Sequence, residues 1–319
     1  MEQVTKIRDW SKYNATSKKS GAISFYISEE AVQLWMSKEK SGEPGASEQY
    51  SGLAIETCLT IRAAYNLPLR KTEGFITSMF QAMGVNLKCP DYTTMSRRAR
   101  DLNVAIQRLP TQGGIVIAAD STGVKVYGEG EWKVRQHGAS KRRTWLKLHM
   151  AVNVQNLQVE SFELTQNNVT DGEVAPTLIK AIKAPIDRFN GDGAYDVESV
   201  YVAVHSVGAI PIIPPRKDAK PQTLKRAIAA KVPRDFAISY IQQHGNNEDA
   251  RKKWKQDSKY HARSLSETSM YRFKTHFGPS VRSRTFANQR TEVAIKINVL
   301  NRIASLGTFH LNRAASIFQ

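Results

Sequence analysis

Three carboxylates in this 319-residue chain stand where metal-dependent chemistry could be built. Asp120 closes the apolar run Ile115-Val-Ile-Ala-Ala-Asp120, and Asp192 lies in Gly191-Asp192-Gly193-Ala194-Tyr195. Glu267 sits in Tyr260-His-Ala-Arg263-Ser-Leu-Ser-Glu267-Thr-Ser-Met-Tyr-Arg-Phe-Lys274, which has no Gly or Pro and suits a helix. Each alone has an ordinary explanation: a strand-end cap, a Gly-Asp-Gly turn, an ion-pair partner on a basic helix. Brought together they make an oxygen-only, negative cluster whose members raise one another's pKa unless cations sit between them. Hard Mg²⁺ or Mn²⁺ ions fit such a donor set, keep some water, and take further ligands from a phosphate. Two ions roughly 3.5–4 Å apart activate an attacking oxygen and stabilise a leaving one in an in-line displacement. Asp120, Asp192 and Glu267 are therefore the candidate catalytic and metal-holding residues, with two Mg²⁺ per site and Mn²⁺ as substitute. At about 100° per residue, Tyr260, Arg263, Glu267 and Lys274 share a sector of roughly 60° along four turns. The two cations and the phenol would flank the metals and contact phosphates, Arg with a two-pronged grip and Lys as a point charge.

The elements around these residues follow from pattern. Ile115–Asp120 reads as a strand buried on both faces, and Ser121 to Tyr127 continues it as an extended segment. Trp145–Val152 and Val159–Leu164 are two further strands. Asp171-Gly172 opens a helix to about Ile182, Ile186–Asn190 is a strand, Asp196 caps a helix to about Val207, and Ile210–Ile213 is a strand again. Three strands, helix, strand, helix, strand is the order of a ribonuclease H-like mixed sheet flanked by helices. Strands one, four and five are then parallel at its centre, with Asp120 and Asp192 at neighbouring carboxyl ends, where ligand chemistry belongs. Residues 214–258 read as a basic insertion of loop and helix before the Glu267 stretch. A helix from about Asn288 to Leu306 carries Val293, Ile297, Leu300 and Ile303 on a core-facing stripe.

Ahead of the sheet the chain is helical. Residues 1–50 form a polar arm, a short helix capped by Ser28 and a linker from residue 38. Residues 51–110 hold a helix from Leu53 to Tyr65, a second from about Arg70 to Met83, and a third capped by Thr93 or Thr94. Thr94, Ser96, Arg97 and Arg98 near the start of the third give it the layout of a helix-turn-helix DNA reader, or equally of a packing domain with a solvated Arg face. Residues 111–319 complete an α/β domain of the ribonuclease H-like type.

Composition agrees with a nucleic-acid partner. Lys and Arg number 46 against 29 acids, a formal charge of +17, and releasing counterions from phosphates drives binding of so basic a chain. A generally basic soluble protein has the same balance. A 41% share of hydrophobic residues makes it globular. Two cysteines, Cys58 and Cys89, make neither a disulfide framework nor a zinc quartet. No apolar run spans a membrane and Met1–Trp10 lacks a signal core, so a cytoplasmic, nucleoid-associated protein is expected.

The spacing Tyr260-x2-Arg263-x3-Glu267-x6-Lys274 resembles the Tyr-Arg-Glu-Lys signature of bacterial insertion-sequence DDE transposases, in particular the insertion sequence 5 family. Asp120-Ser-Thr-Gly-Val-Lys125 is similar to the family's first-aspartate segment, and Gly191-Asp192-Gly-Ala-Tyr195 to its second. Pro90-Asp-Tyr-Thr-Thr-Met-Ser-Arg-Arg98 and Arg8-Asp-Trp-Ser-Lys-Tyr-Asn14 resemble its N-terminal part, so the likeness runs nearly the full length. It implies a transposase in which water attacks at the transposon end and the freed 3′-hydroxyl then attacks target DNA. It also implies helices that read terminal inverted repeats, and a homodimer in a paired-end complex on double-stranded DNA. Lys125 falls inside the first-aspartate segment and joins the DNA-contact candidates. Some relatives hold a flipped base with a Trp of the insertion, for which Trp254 is the candidate, although a Trp among basic residues also serves as a core anchor. The short interval between Asp192 and Glu267 leaves no room for a large β-rich insertion. Two other readings stand beside this one: a ribonuclease H-like nuclease without strand transfer, and a transposase-derived DNA-binding regulator.

Overall fold

The structure, a computed structural model, describes residues 10–37, 49–126, 145–221 and 228–306. The basic loop expected at Lys133–Arg143 and most of the linker from residue 38 lie outside the described residues. Two compact units divide at residues 105/106 and again at 282/283.

The first unit is helical: α1 (Trp10–Gly21), α2 (Glu29–Gln33), α3 (Gly52–Ala64), α4 (Leu69–Ala82) and α5 (Tyr92–Arg98), joined by α11 (Phe286–Ser305) from the far end of the chain. Side-chain caps start most of them: Ser28 accepts the Ala31 N–H at 3.1 Å, Ser51 that of Ala54 at 3.1 Å, and Thr285 that of Asn288 at 3.4 Å. Pro68 separates α3 from α4, and Gly84, at φ 65°, follows α4 where an L side chain is disfavoured. Two expectations change. The arm contains α1, whose polar Trp10–Gly21 sequence has no apolar stripe to announce it. The cap of α5 is Asp91, not Thr93 or Thr94; its carboxylate accepts the Thr93 hydroxyl, the Thr94 hydroxyl at 2.7 Å and both their N–H groups at 2.9 Å. A charged acceptor outcompetes a hydroxyl for amides at a positive helix end, and these bonds hold the Asp91 carboxyl far below the ordinary range.

Core contacts of Ile55, Leu59, Ala99 and Ile295 tie α3, the end of α5 and α11 together. Within α11 the buried pair Glu292–Lys296 closes at 2.8 Å, and Glu292 also accepts the Ser283 amide at 2.9 Å. Asn298 donates to the Ala105 carbonyl at 2.9 Å. The stripe Val293, Ile297, Leu300, Ile303 is buried, as its spacing predicts.

The second unit is a mixed sheet: β1 (Ile115–Val126), β2 (Trp145–Asn153), β3 (Val159–Gln166), β4 (Ile186–Asn190) and β5 (Ile210–Ile212), in spatial order β3-β2-β1-β4-β5. Pairs β3-β2 and β2-β1 are antiparallel, and β1-β4 and β4-β5 are parallel, which is the ribonuclease H-like arrangement. A short strand, β6 (Ser280–Val281), pairs with the far end of β1. On one face, Ile115, Ile117 and Ala119 pack with Val174, Leu178 and Val200 of α6 (Asp171–Ala181) and α7 (Glu198–Ser206). On the other, Val116 and Ala118 pack with Ala262 and with Leu265 of α10 (Ser264–Phe277). The alternation of a β-strand separates the two sets. The insertion holds α8 (Ile228–Gln243) and α9 (Glu248–Asp257).

Candidate active site

Asp120 is not at a strand end. β1 runs six residues further, because β2 pairs with it to Lys125 and β6 to Val126. What ends near Asp120 is the pairing with β4: the last partners are Ala118 and Asn190. Asp120 and Asp192 therefore lie two residues beyond the same rung of neighbouring parallel strands. Asn190 fastens that rung by donating Nδ2 to the Ile117 carbonyl at 2.9 Å. Asp192 then caps a 3₁₀ turn, Gly193–Tyr195, by accepting the Ala194 N–H at 2.8 Å.

Glu267 stands in the first turn of α10. The stretch before it departs from the regular helix expected: Tyr260–Arg263 is a 3₁₀ turn entered from Lys259 at φ 57°. Even so, Arg263 and Glu267 meet the two aspartates. Arg263 Nη2 lies 3.1 Å from Asp120 Oδ2 and 3.6 Å from Asp192 Oδ2, while Nη1 lies 2.5 Å from Glu267 Oε1. One guanidinium bridges all three carboxylates.

The electrostatics follow. Burial raises the Asp120 carboxyl above its ordinary value, and the charges of Asp192 and Glu267 add to it against the Ser121 amide and Arg263. Burial opposes the charge on Arg263, but Asp120, Tyr260, Glu267 and Asp192 together raise its pKa. Burial pushes the Tyr260 phenol up to about 12, with Arg263 opposing and the three carboxylates adding. Tyr260 thus stays a hydrogen-bond donor at neutral pH. Lys274 is half-buried further along α10.

No set of three His, Cys, Asp or Glu side chains among the described residues is arranged to hold a metal ion, and Arg263 stands among the three carboxylates instead. The donor chemistry nonetheless fits hard divalent cations: three oxygen ligands facing one positive centre, one borne on β1 and one just past the end of the neighbouring β4. Arg263 Nε and the Tyr195 hydroxyl are buried beside them without a hydrogen-bond partner among the described residues.

The DNA-contact candidates are spread out. Arg97 is exposed on α5, while Arg98 donates to the Tyr50 carbonyl at 2.9 Å and Ser96 offers its carbonyl to Asn288 at 3.0 Å. Thr94 is engaged by Asp91. Lys125 reaches over the Trp145 ring, 5.4 Å from its centroid. Trp254 is 7% exposed and packs with Ala237, Ile241 and Ala250, its ring 6.2 Å from that of Tyr260; what it touches here is protein. Beside it a cleft of about 220 Å³ is lined by Arg216, Lys217, Lys220 and Arg251 of the basic insertion.

Two groups escaped the sequence. Asp196 does not cap α7, whose cap position is Val197. Its buried carboxylate instead accepts Arg234 Nε at 2.7 Å, Tyr201 Oη at 3.0 Å and the Arg216 amide at 3.0 Å, fastening the insertion to the Asp192 loop. The other is a carboxylate behind the sheet, Asp171, contacted by Lys147 and His149. Polar residues at alternate positions of an otherwise apolar strand were its one visible signal.

A family model described as "Transposase DDE domain" matches residues 111–302, and a second of the same description matches residues 18–129. Among solved structures, the Drosophila P element transposase strand transfer complex is 9% identical, over 90% of this chain and 87% of that one, with a TM-score of 0.31. The Mos1 strand transfer complex is 12% identical over 78% and 82%, at a TM-score of 0.22. The Mos1 transposase paired-end complex with the left transposon end is 11% identical over 86% and 83%, at 0.23. Likeness at such TM-scores is loose, and the family match is the finding that bears on function.

Proposed function

The chain belongs to the DDE transposase family, and from that premise we propose that it binds the inverted-repeat ends of an insertion sequence, cuts there and joins the freed 3′ end to target DNA. The observation that carries this is the convergence of Asp120, Asp192 and Glu267 on the Arg263 guanidinium. The signature spacing supports membership of the insertion sequence 5 family within the wider one. Asp120, Asp192 and Glu267 would hold the divalent metal that the family uses, and we assign two Mg²⁺, with Mn²⁺ as substitute. When bound, such ions supply Lewis-acid charge at the scissile phosphate and lower the pKa of water.

The remaining work belongs to the chain. Arg263, whose planar fork matches a phosphate, holds the three carboxylates against mutual repulsion and stands where the DNA backbone must pass. Tyr260, kept protonated by its surroundings, donates to a phosphate oxygen. Lys274 adds a point charge on the same helix. The N-terminal helices, with Thr94, Ser96, Arg97 and Arg98, read the ends, and the basic insertion follows the backbone. A homodimer holds two ends together in a paired complex. No helix of the described residues is long and apolar enough to cross a membrane, and the chain acts at the nucleoid.

The test is joining of a labelled DNA end, taken from the sequence flanking the gene, to a plasmid in Mg²⁺. Joined product is expected. Cutting without joining would make it a nuclease, and binding with neither would make it a regulator.

A further inference from the structure

Ser121 pairs with His149 across β1 and β2, and Gly123 with Lys147. Strand alternation sends Asp120 to the α10 face and Ser121 to the opposite one. There, at the first residue of α6, stands Asp171, which the proposed chemistry does not use. Lys147 Nζ lies 3.0 Å from its Oδ2 and His149 Nδ1 2.9 Å from its Oδ1. The His149 ring is fully buried, its Nε2 2.9 Å from Thr165 Oγ1. The group is thus fixed from several sides.

Two links lead from this point to the two aspartates. Ser121, paired across the strands with the His149 that Asp171 contacts, donates its main-chain N–H to Asp120 Oδ1 at 2.8 Å. Gly172, the next residue, lies against the loop that carries Asp192. A Cβ there would come 2.7 Å from Val197 Cγ2 and 3.4 Å from the carbonyl oxygen of Ala194, whose amide is the one Asp192 caps. One dipeptide braces both aspartate-bearing segments, β1 through β2 and the Asp192 loop directly.

We infer that Asp171-Gly172 is the positioning element that sets the separation of Asp120 and Asp192, resting on the reading of those two as the metal-holding pair. Asp171 touches no reacting atom; it acts through His149 and Lys147, the β2 residues paired with Ser121 and Gly123.

The test uses the full chain with Asp171→Ala, Asp171→Asn and Gly172→Ala. Mn²⁺ binding is followed by electron paramagnetic resonance, alongside single-turnover cleavage and the Kd for end DNA. Asp171→Ala and Gly172→Ala should weaken Mn²⁺ binding about 10–100-fold, as loss of outer support around a metal site does, with the DNA Kd unchanged. Asp171→Asn, which still offers Lys147 or His149 an oxygen, should lose less. Ser161→Ala removes a buried hydrogen bond to the Leu178 carbonyl of the same helix, so it loosens α6 without touching Asp171. It should leave Mn²⁺ binding as in the wild type. Wild-type Mn²⁺ affinity and cleavage in both Asp171→Ala and Gly172→Ala would overturn the inference, as would an equal loss in Ser161→Ala. If the wild type itself neither binds Mn²⁺ nor cleaves, it is the transposase reading that fails. Should Asp171→Ala not fold, Asp171→Asn and Gly172→Ala decide between the same outcomes.

Discussion

Arg263 Nη2 sits 3.1 Å from Asp120 Oδ2, linking residues 143 apart in sequence, and the same guanidinium reaches Asp192 and Glu267. A carboxylate trio without counter-charge repels itself, and here a side chain on the approach to the Glu267 helix supplies that charge. Arg263 and the proposed cations would therefore serve the same carboxylates.

Removing that charge should expose the repulsion. Arg263→Ala is expected to lower the thermal midpoint in chelator by about 2–4 °C, the shift for roughly 1 kcal/mol in a protein of this size. Mg²⁺ should then raise the variant's midpoint more than the wild type's. Equal Mg²⁺ shifts in the two proteins would contradict the shared role.

Asp171 gives a pH signature. Burial works against its ionisation, yet hydrogen bonds from His149, Ser121 and Lys147, with the charge of Lys147, bring its pKa from 3.8 down to about 2. An acid whose pKa is lower folded than unfolded stabilises the fold above the unfolded value, and that stability is lost as pH falls through the folded one. Wild type should exceed Asp171→Asn in unfolding free energy by an amount on the order of 2 kcal/mol above about pH 4. The gap should close towards pH 2, measured by urea unfolding. A gap independent of pH would mean that the charge of Asp171 is not what matters.

Asp196 and Arg234 form a pair with side chains 0% and 7% exposed, so removing one partner strands a buried charge. Asp196→Ala should cost about 3–5 kcal/mol, read as a lower urea midpoint. A loss under 1 kcal/mol would show that water reaches Arg234 and replaces the carboxylate.

Lys274 is assigned a phosphate contact rather than sequence reading. Lys274→Ala should weaken end DNA and unrelated DNA alike, and reduce the slope of log K against log salt by about 0.9. An unchanged slope would remove it from the DNA surface.

Much of this was legible in the sequence, for physical reasons. Ile115–Ala119 and Ile186–Asn190 announce buried strands, and the Glu267 signature has three fixed intervals that chance rarely meets. What was hidden depends on partners distant in the chain. That the chain stays extended past Asp120 is visible locally; that β2 and β6 pair with it there, keeping Asp120 inside β1, is not. Asp196 looked like a cap because Arg234, which claims it, lies 38 residues on. Asp171 looked like a helix start, which it is; only the register of β1 against β2 brings Lys147, His149 and Ser121 around it. The stripe on α11 told that the helix is buried, not which helices it would join.

The most direct test of the central claim is single-turnover cleavage of end DNA in Mg²⁺ by Asp120→Asn and Glu267→Gln beside the wild type, with end binding measured on the same samples. Each variant should lose at least about a hundredfold in rate, the equivalent of roughly 3 kcal/mol at the transition state, while binding the end as tightly as the wild type. Wild-type cleavage by either variant would contradict the assignment of Asp120, Asp192 and Glu267 as the catalytic carboxylates.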